Sequence, residues 1–374
     1  MNSPRRLAIL AAFSGQGGVE KMVLNLLEGF APYDVEVDLL AIVRKQYRWP
    51  EIRNSRVRVI SFKSRHSSLA LPEVIGYLRA QRPDVLLAVR DRAIRTAALA
   101  CRLAGSDVPL FGNLHSLLGE SLAAKNALQR WWRLWPMKAL YRRIDGIIAI
   151  SEGVAEDIAA VAGVPLDRIK VVRNPVVDAR MLAASKDPVA HRWLGDGGGP
   201  VVIGAGRLSA EKDFATLIRA FGRLRECLNA RLVILGEGRQ RPKLERLVAD
   251  LGLSDCVDLP GYTDNPYPTM AAADLFVLSS LREGSGNVLT EALALGTPVV
   301  ATDCPTGPRE MLQGGRYGAL VPVGDAESLA GAMLQTLGNP PPPAFLREAV
   351  GEYHVEHSAR AYLQALNLLP SNSY

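Results

Sequence analysis

Short apolar runs alternate with amphipathic helical stretches along this chain, stop at an irregular glycine-rich segment, and then resume. The first series places strands at residues 7–13, 35–43, 57–62, 85–89, 109–113, 146–150 and 169–172, with helices at 19–30 and 71–81. Alternation of short apolar runs with amphipathic helices implies a parallel sheet with helices on both faces. Residues 176–199 are irregular and end in GDGGGP, which reads as a hinge or a surface loop. The second series has strands at 201–205, 231–235, 257–259, 275–278 and 299–301, and helices at 214–225, 241–251 and 287–295. A proline run at 340–343 precedes a last helix around 354–368. The expected class is α/β, with two Rossmann-like, doubly wound domains whose binding loops, at the carboxyl ends of the strands, face a cleft.

A chain of 374 residues is long for one core, which agrees with two domains. Charge divides unevenly between them. Residues 1–180 hold 27 Lys and Arg against 17 Asp and Glu, a net of +10, whereas residues 181–374 hold 17 against 21, a net of −4. The first half therefore faces something anionic. No apolar run approaches the roughly 18 residues that a spanning helix needs. Arg5 and Arg6 precede an apolar run of only seven residues that leads into a glycine loop, so a first buried strand fits better than a signal peptide. Cys101, Cys227, Cys256 and Cys304 are far apart, without a CxxC pair or a histidine cluster. They read as reduced thiols of a cytosolic protein.

Five segments could carry chemistry. In residues 281–310 Glu283 precedes Gly284, Ser285 and Gly286, and a helix then begins at Asn287, Val288 and Leu289 and contains Glu291. First-turn amides of such a helix favour an anion of phosphate size, and carboxylates on either side of it could hold hydroxyls. Taken as isolated residues, a solvated loop acid and a helix-surface acid remain an equal reading. Residues 204–213, GAGRLSAEKD, follow a buried strand and bring Arg207 and Lys212, a planar fork and a compact charge, both suited to phosphate oxygens. Residues 14–20, SGQGGVE, join the first strand to the first helix and include Gly17 and Gly18. This is not a nicotinamide fingerprint, because Glu20 stands where a third glycine is needed; the remaining readings are an anion loop or a tight turn. His115 follows a strand of the first series, either as a hydrogen-bonded loop residue or as a ligand contact. Asn174 before Pro175 is either a structural turn or a site residue.

These segments resemble the retaining glycosyltransferases of family 4, which share the two-domain GT-B fold. Glu283 and Glu291 have seven residues between them, as the paired glutamates of that family do. The glycine loop resembles the family's GGVE-type loop, 204–213 its GRLxxxKD segment, and Gly236 with Glu237, Gly238 and Arg241 its GEG segment. The resemblance implies an acceptor-binding domain at 1–180, a nucleotide-sugar-binding domain at 181–350, and a helix at 351–374 packing back on the first domain. It implies that Glu283 contacts hydroxyls of the donor sugar, Glu291 the ribose, and His115 the sugar near the reacting centre. Arg207 and Lys212 would stabilise the departing diphosphate, with Gly17, Gly18 and the segment from Gly284 through Ser285, Gly286, Asn287 and Val288 to Leu289 close to it. Gly236 would shape the nucleotide pocket and Tyr262 would lie where the base is read. No DxD triplet accompanies these residues, so no metal is expected; the donor is a nucleotide sugar, with UDP favoured.

Residues 122–144 hold Lys125, Arg130, Arg133, Lys138, Arg142 and Arg143 around Trp131, Trp132 and Trp135, with no acid before Asp145. Pro136 is expected to end one helix and start another. The segment either lies on an anionic membrane surface or buries its tryptophans between helices, while nucleic acid is disfavoured for want of a recognition motif. The expected function is transfer of a hexose or N-acetylhexosamine to a hydroxyl of a growing, lipid-linked bacterial glycan such as a lipopolysaccharide, at the inner face of the cytoplasmic membrane. Rivals are a sugar-nucleotide epimerase or phosphorylase of the same fold, or a catalytically silent carbohydrate-binding subunit.

Overall fold

The computed structural model describes residues 4–13, 15, 17–43, 47, 49–123, 126–189 and 191–370. Ser14 and Gln16 of the glycine loop, Lys125 and the side chain of Arg133 lie outside the described residues. The chain forms two compact units, one of Met1–Pro175 with His354–Tyr374 and one of Val176–Tyr353.

Unit 1 holds seven strands, β1 (Arg5–Phe13), β2 (Val35–Val43), β3 (Val57–Phe62), β4 (Val85–Val89), β5 (Leu110–Leu114), β6 (Gly146–Ala149) and β7 (Ile169–Val171). They form one parallel sheet in the order β3-β2-β1-β4-β5-β6-β7. Successive side chains of β1 divide between two layers: Ala8 and Leu10 pack with Ile94 and Ala97 of the helix Asp91–Ala104, while Leu7, Ile9 and Phe13 pack with Met22, Leu26 and Leu27. Burial on both faces is why β1 reads as a continuous apolar run. The helix Val355–Ala365 belongs to this unit and adds Ala359, Tyr362 and Leu363 to the second layer.

Unit 2 holds β8 (Val201–Ala205), β9 (Arg231–Leu235), β10 (Val257–Gly261), β11 (Leu275–Leu278), β12 (Val299–Thr302) and β13 (Ala319–Val321), parallel in the order β10-β9-β8-β11-β12-β13. In each sheet the order reverses beside the first strand, between β1 and β4 and between β8 and β11, which opens a crevice at the carboxyl ends of those strands.

Two sequence expectations need correction. Pro136 lies inside a single helix, Ala127–Tyr141, rather than between two. The hydrogen bond it removes is that to the carbonyl of Trp132, a residue 66% exposed, so water can replace it. Burial of Leu134, Met137 and Tyr141 on the opposite side keeps the helix continuous. The second concerns residues 176–199, which are not wholly irregular: Asp178 accepts from Met181 N at 2.7 Å and starts a helix, Ala179–Ala184.

Candidate active site

In unit 2 the loops after β8 and β9 lie in backbone contact. Gly236 has φ +136, and a Cβ there would stand 1.9 Å from the Gly206 carbonyl oxygen, so only glycine permits the approach. Gly206 N bonds Leu235 O at 2.9 Å, Leu208 N bonds Glu237 O at 2.9 Å, and Gly236 N bonds Gly261 O at 2.8 Å. Lys212 ends the short turn Ala210–Lys212, and Asp213 then caps the helix Phe214–Cys227 by accepting from Thr216.

Lys212 Nζ forms a direct ion pair with Glu283 Oε1. Ser280 Oγ donates to the same carboxylate oxygen at 2.7 Å, and Ser279 Oγ donates to the Lys212 carbonyl at 2.9 Å. Leu281 N bonds Glu211 O at 2.8 Å, and Thr306 Oγ1 donates to the Glu283 carbonyl. The Lys212 and Glu283 side chains are 22% and 11% exposed, so the pair is largely withdrawn from water yet reachable. Burial, and then the Glu283 charge, push the neighbouring Cys304 thiol up to about 12, so it stays protonated and inert.

The helix Asn287–Leu295 starts directly beyond. Its cap, Gly286, is left-handed at φ 70 and brings no side chain to the first-turn amides. Just before it, the buried Ser285 Oγ has no hydrogen-bond partner, an orphaned polar atom at the mouth of a helix dipole. Glu291, 8% exposed, accepts from Tyr267 OH at 3.4 Å. The Arg207 side chain is exposed and has no hydrogen bond or ion pair among the described residues. Tyr262, 54% exposed, follows β10, whose Leu259 carbonyl accepts from Arg241 Nη1 at 2.9 Å.

Unit 1 carries His115, Gly17 and Gly18. Gly17 caps the helix Gly18–Gly29 without a side-chain bond, and the buried Glu20 carboxylate accepts from Gly15 N at 3.2 Å. His115 Nε2 lies 2.5 Å from Asn113 Oδ1, while Asn113 Nδ2 donates to Ile148 O at 3.2 Å and to Tyr362 OH at 3.1 Å. Burial, and secondly the Arg90 charge, push the imidazole down to about 3, so it is neutral at physiological pH. A cavity of about 490 Å³ opens beside it at the carboxyl ends of β1, β4 and β5, at the point where the strand order reverses.

Along the helix Ala127–Tyr141, Leu128, Trp131, Trp132 and Trp135 recur at helical spacing and are 66%, 56%, 66% and 64% exposed. The tryptophans are thus on the surface of unit 1, not between helices. Arg130, Arg142 and Arg143 are exposed as well, Arg130 Nε also donating to Leu122 O at 3.0 Å. Sequence reasoning assigned no role to Ser279, Ser280, Thr306, Asn113 or Tyr362. Hydroxyls and amides that hold another side chain in place carry no spacing signal of their own. Among the described residues no group of three or more His, Cys, Asp or Glu could hold a metal ion, and no helix is long and apolar enough to cross a membrane.

Known proteins share both units. Residues 16–180 match the family described as Glycosyltransferase Family 4 and residues 199–339 the one described as Glycosyl transferases group 1. The lipopolysaccharide core biosynthesis glycosyltransferase LpsE of Rhizobium meliloti is 30% identical over 374 residues, which cover 96% of this chain and 98% of that protein. A Campylobacter jejuni protein, the N-acetylgalactosamine-N,N'-diacetylbacillosaminyl-diphospho-undecaprenol 4-alpha-N-acetylgalactosaminyltransferase, is 33% identical over 190 residues, 51% of this chain and 50% of its own length. Among solved structures, Anabaena HepE in complex with UDP and glucose superposes with a TM-score of 0.78 at 20% identity, over 98% of this chain and all of its own. Full-length likeness to LpsE, the two family matches and the paired parallel sheets together make this chain a member of the family 4 glycosyltransferases, with the GT-B fold.

Proposed function

We propose that this glycosyltransferase moves a hexose or N-acetylhexosamine from a UDP-sugar, with retention of configuration and without a metal ion, to a hydroxyl of a growing, lipid-linked bacterial glycan. The observation that carries the reading is the Lys212–Glu283 pair beside the uncapped start of Asn287–Leu295, within loops held in backbone contact. A diphosphate seated there meets the Lys212 ammonium, the Arg207 fork, the Ser285 hydroxyl and the helix amides, which together stabilise charge as it develops on the leaving group. Glu283 then accepts from hydroxyls of the donor sugar, Glu291 from the ribose, and Gly236 and Tyr262 line the nucleotide pocket. The acceptor oxygen bonds to the anomeric carbon on the face that the diphosphate leaves, the carbon–phosphate oxygen bond breaks, and the acceptor proton passes to a departing phosphate oxygen. Unit 2 takes the donor and unit 1 the acceptor.

The choice of UDP is supported by the UDP and glucose bound to HepE, and the choice of glycan by the names of the Rhizobium and Campylobacter proteins, one a lipopolysaccharide core biosynthesis glycosyltransferase and the other named for a diphospho-undecaprenol-linked acceptor. The exposed tryptophans and the basic residues around them fit the headgroup layer of an anionic membrane, as expected of an enzyme that works on a lipid-linked substrate at the inner face of the cytoplasmic membrane. Thermal unfolding of the purified protein with UDP, GDP, ADP and their sugars tests the donor. UDP and UDP-sugars should raise the midpoint most, and a protein stabilised by none of them would refute the reading.

A further inference from the structure

The cavity of unit 1 is lined by Arg65, Arg90 and Arg92 and, among the described residues, by a single acid, Asp91. Both oxygens of that acid are engaged: Asp91 Oδ2 accepts from Arg95 Nη2 at 2.9 Å and Oδ1 from Tyr141 OH at 3.0 Å. The side chains of Arg65 and Arg92 form no hydrogen bond or ion pair among the described residues. The 14-residue helix Asp91–Ala104 begins at the same wall, and its cap, Arg90, adopts φ 75 and brings no side chain back to the first-turn amides. Two free guanidiniums, a third beside them and a helix start therefore converge on about 490 Å³ without a free carboxylate among the described residues to balance them. The volume suits a ligand of monosaccharide size. A pocket for a neutral sugar needs no uncompensated guanidinium, since hydroxyls are held as well by neutral amides. Paired free forks select phosphate or carboxylate oxygens, which they bind bidentately.

We infer that this cavity binds an anionic substituent, phosphate or carboxylate, on a sugar of the acceptor, with Arg65 and Arg92 as its ligands. The inference deepens the reading of unit 1 as the acceptor unit and rests on it. It gives a role to three of the 27 cations behind the net +10 of residues 1–180, Arg65, Arg90 and Arg92, which line the cavity.

The test is calorimetric titration of the full chain, saturated with UDP so that the diphosphate site in unit 2 is filled. Glucose, glucose 6-phosphate and glucuronate serve as probes. At least one of the two charged probes should bind tenfold or more tighter than glucose, and the tighter of the two tells phosphate from carboxylate. That preference should be lost in R65Q/R92Q and kept in R102Q, which removes a charge from the far end of the same helix. Charged and neutral probes binding alike, no binding of a charged probe at tens of millimolar, or an undiminished preference in R65Q/R92Q would each overturn the assignment. If the charged probes bind as stated but no nucleotide sugar is bound or used, the transferase reading of the donor fails while the anion site stands. If sugar is transferred but the probes show no preference, the anion site fails alone.

Discussion

Asn113 decides which nitrogen of His115 carries the proton. Its Nδ2 is turned to the Ile148 carbonyl, which can only accept, so its Oδ1 faces His115 Nε2 at 2.5 Å and must receive a hydrogen from it. Nδ1 is thereby left without a proton and can accept a hydrogen bond. Tyr362, on the helix Val355–Ala365, takes the second Asn113 hydrogen at 3.1 Å, so this helix takes part in holding the carboxyl end of β5.

With its imidazole pushed down to about 3, His115 should show no titration between pH 5 and 8. Its NMR ring signals should report the Nε2–H tautomer throughout, and a midpoint near the ordinary value of about 6.5 would disprove the assignment. N113D, which sets a carboxylate against Nε2, should bring the titration back into that range. Because the folded value is depressed, the unfolded chain binds the extra proton between about 6.5 and about 3. The stability His115 contributes is thus complete above about 6.5 and lost as pH falls, by up to about 1.4 kcal/mol per pH unit. H115N should flatten the acid limb of the unfolding curve by that amount.

Replacing Lys212 separates stability from catalysis. K212A removes the charge proposed to stabilise the leaving diphosphate, and kcat should fall about 10²–10³-fold. It also leaves Glu283, 11% exposed, without its cation, which should cost about 1–3 kcal/mol of stability after allowance for the solvent that still reaches the pair. Adding E283Q to K212A should restore most of the stability and none of the rate. Restored activity in the double variant would show that the pair is structural only.

At Gly236 the loop after β9 presses against the backbone of the loop after β8. In G236A the new methyl meets the Gly206 carbonyl oxygen and the backbone is strained at φ +136, so the unfolding free energy should drop by roughly 2–4 kcal/mol. UDP binding should weaken with it, because the displaced loop after β8 carries Arg207. Stabilisation by UDP equal to that of the parent would separate this loop from the donor site.

Strands and motif loops were legible in the sequence because their signals are local. Residues 7–13, 85–89 and 201–205 declare themselves by apolar content, and Glu283, Arg207 and Lys212 stand out as candidates by their setting beside glycines. What depends on the tertiary fold was not. Asn113 lies 249 residues from Tyr362, and the Asp91–Tyr141 bond that leaves Arg65 and Arg92 unbalanced spans 50. Pro136 misled for a related reason: a local rule about proline was overridden by the burial of Met137 and Tyr141 on one side and by water on the other.

The helix Ala127–Tyr141 offers a direct test of membrane docking. Leu128, Trp131, Trp132 and Trp135 form an exposed stripe, while Leu134, Met137 and Tyr141 hold the helix to unit 1 from the other side. Insertion of each half-exposed or more exposed indole into a headgroup layer should yield about 1–2 kcal/mol, close to a factor of ten in partitioning. W131S/W132S/W135S should therefore lose nearly all sedimentation with phosphatidylglycerol vesicles. Its unfolding midpoint should hardly move, because these side chains leave water only on docking. K138S/R142S/R143S should weaken binding to the same vesicles but not to phosphatidylcholine, and raised salt should abolish the difference. Sedimentation unchanged by the tryptophan substitutions would assign the stripe to a protein partner instead of a bilayer.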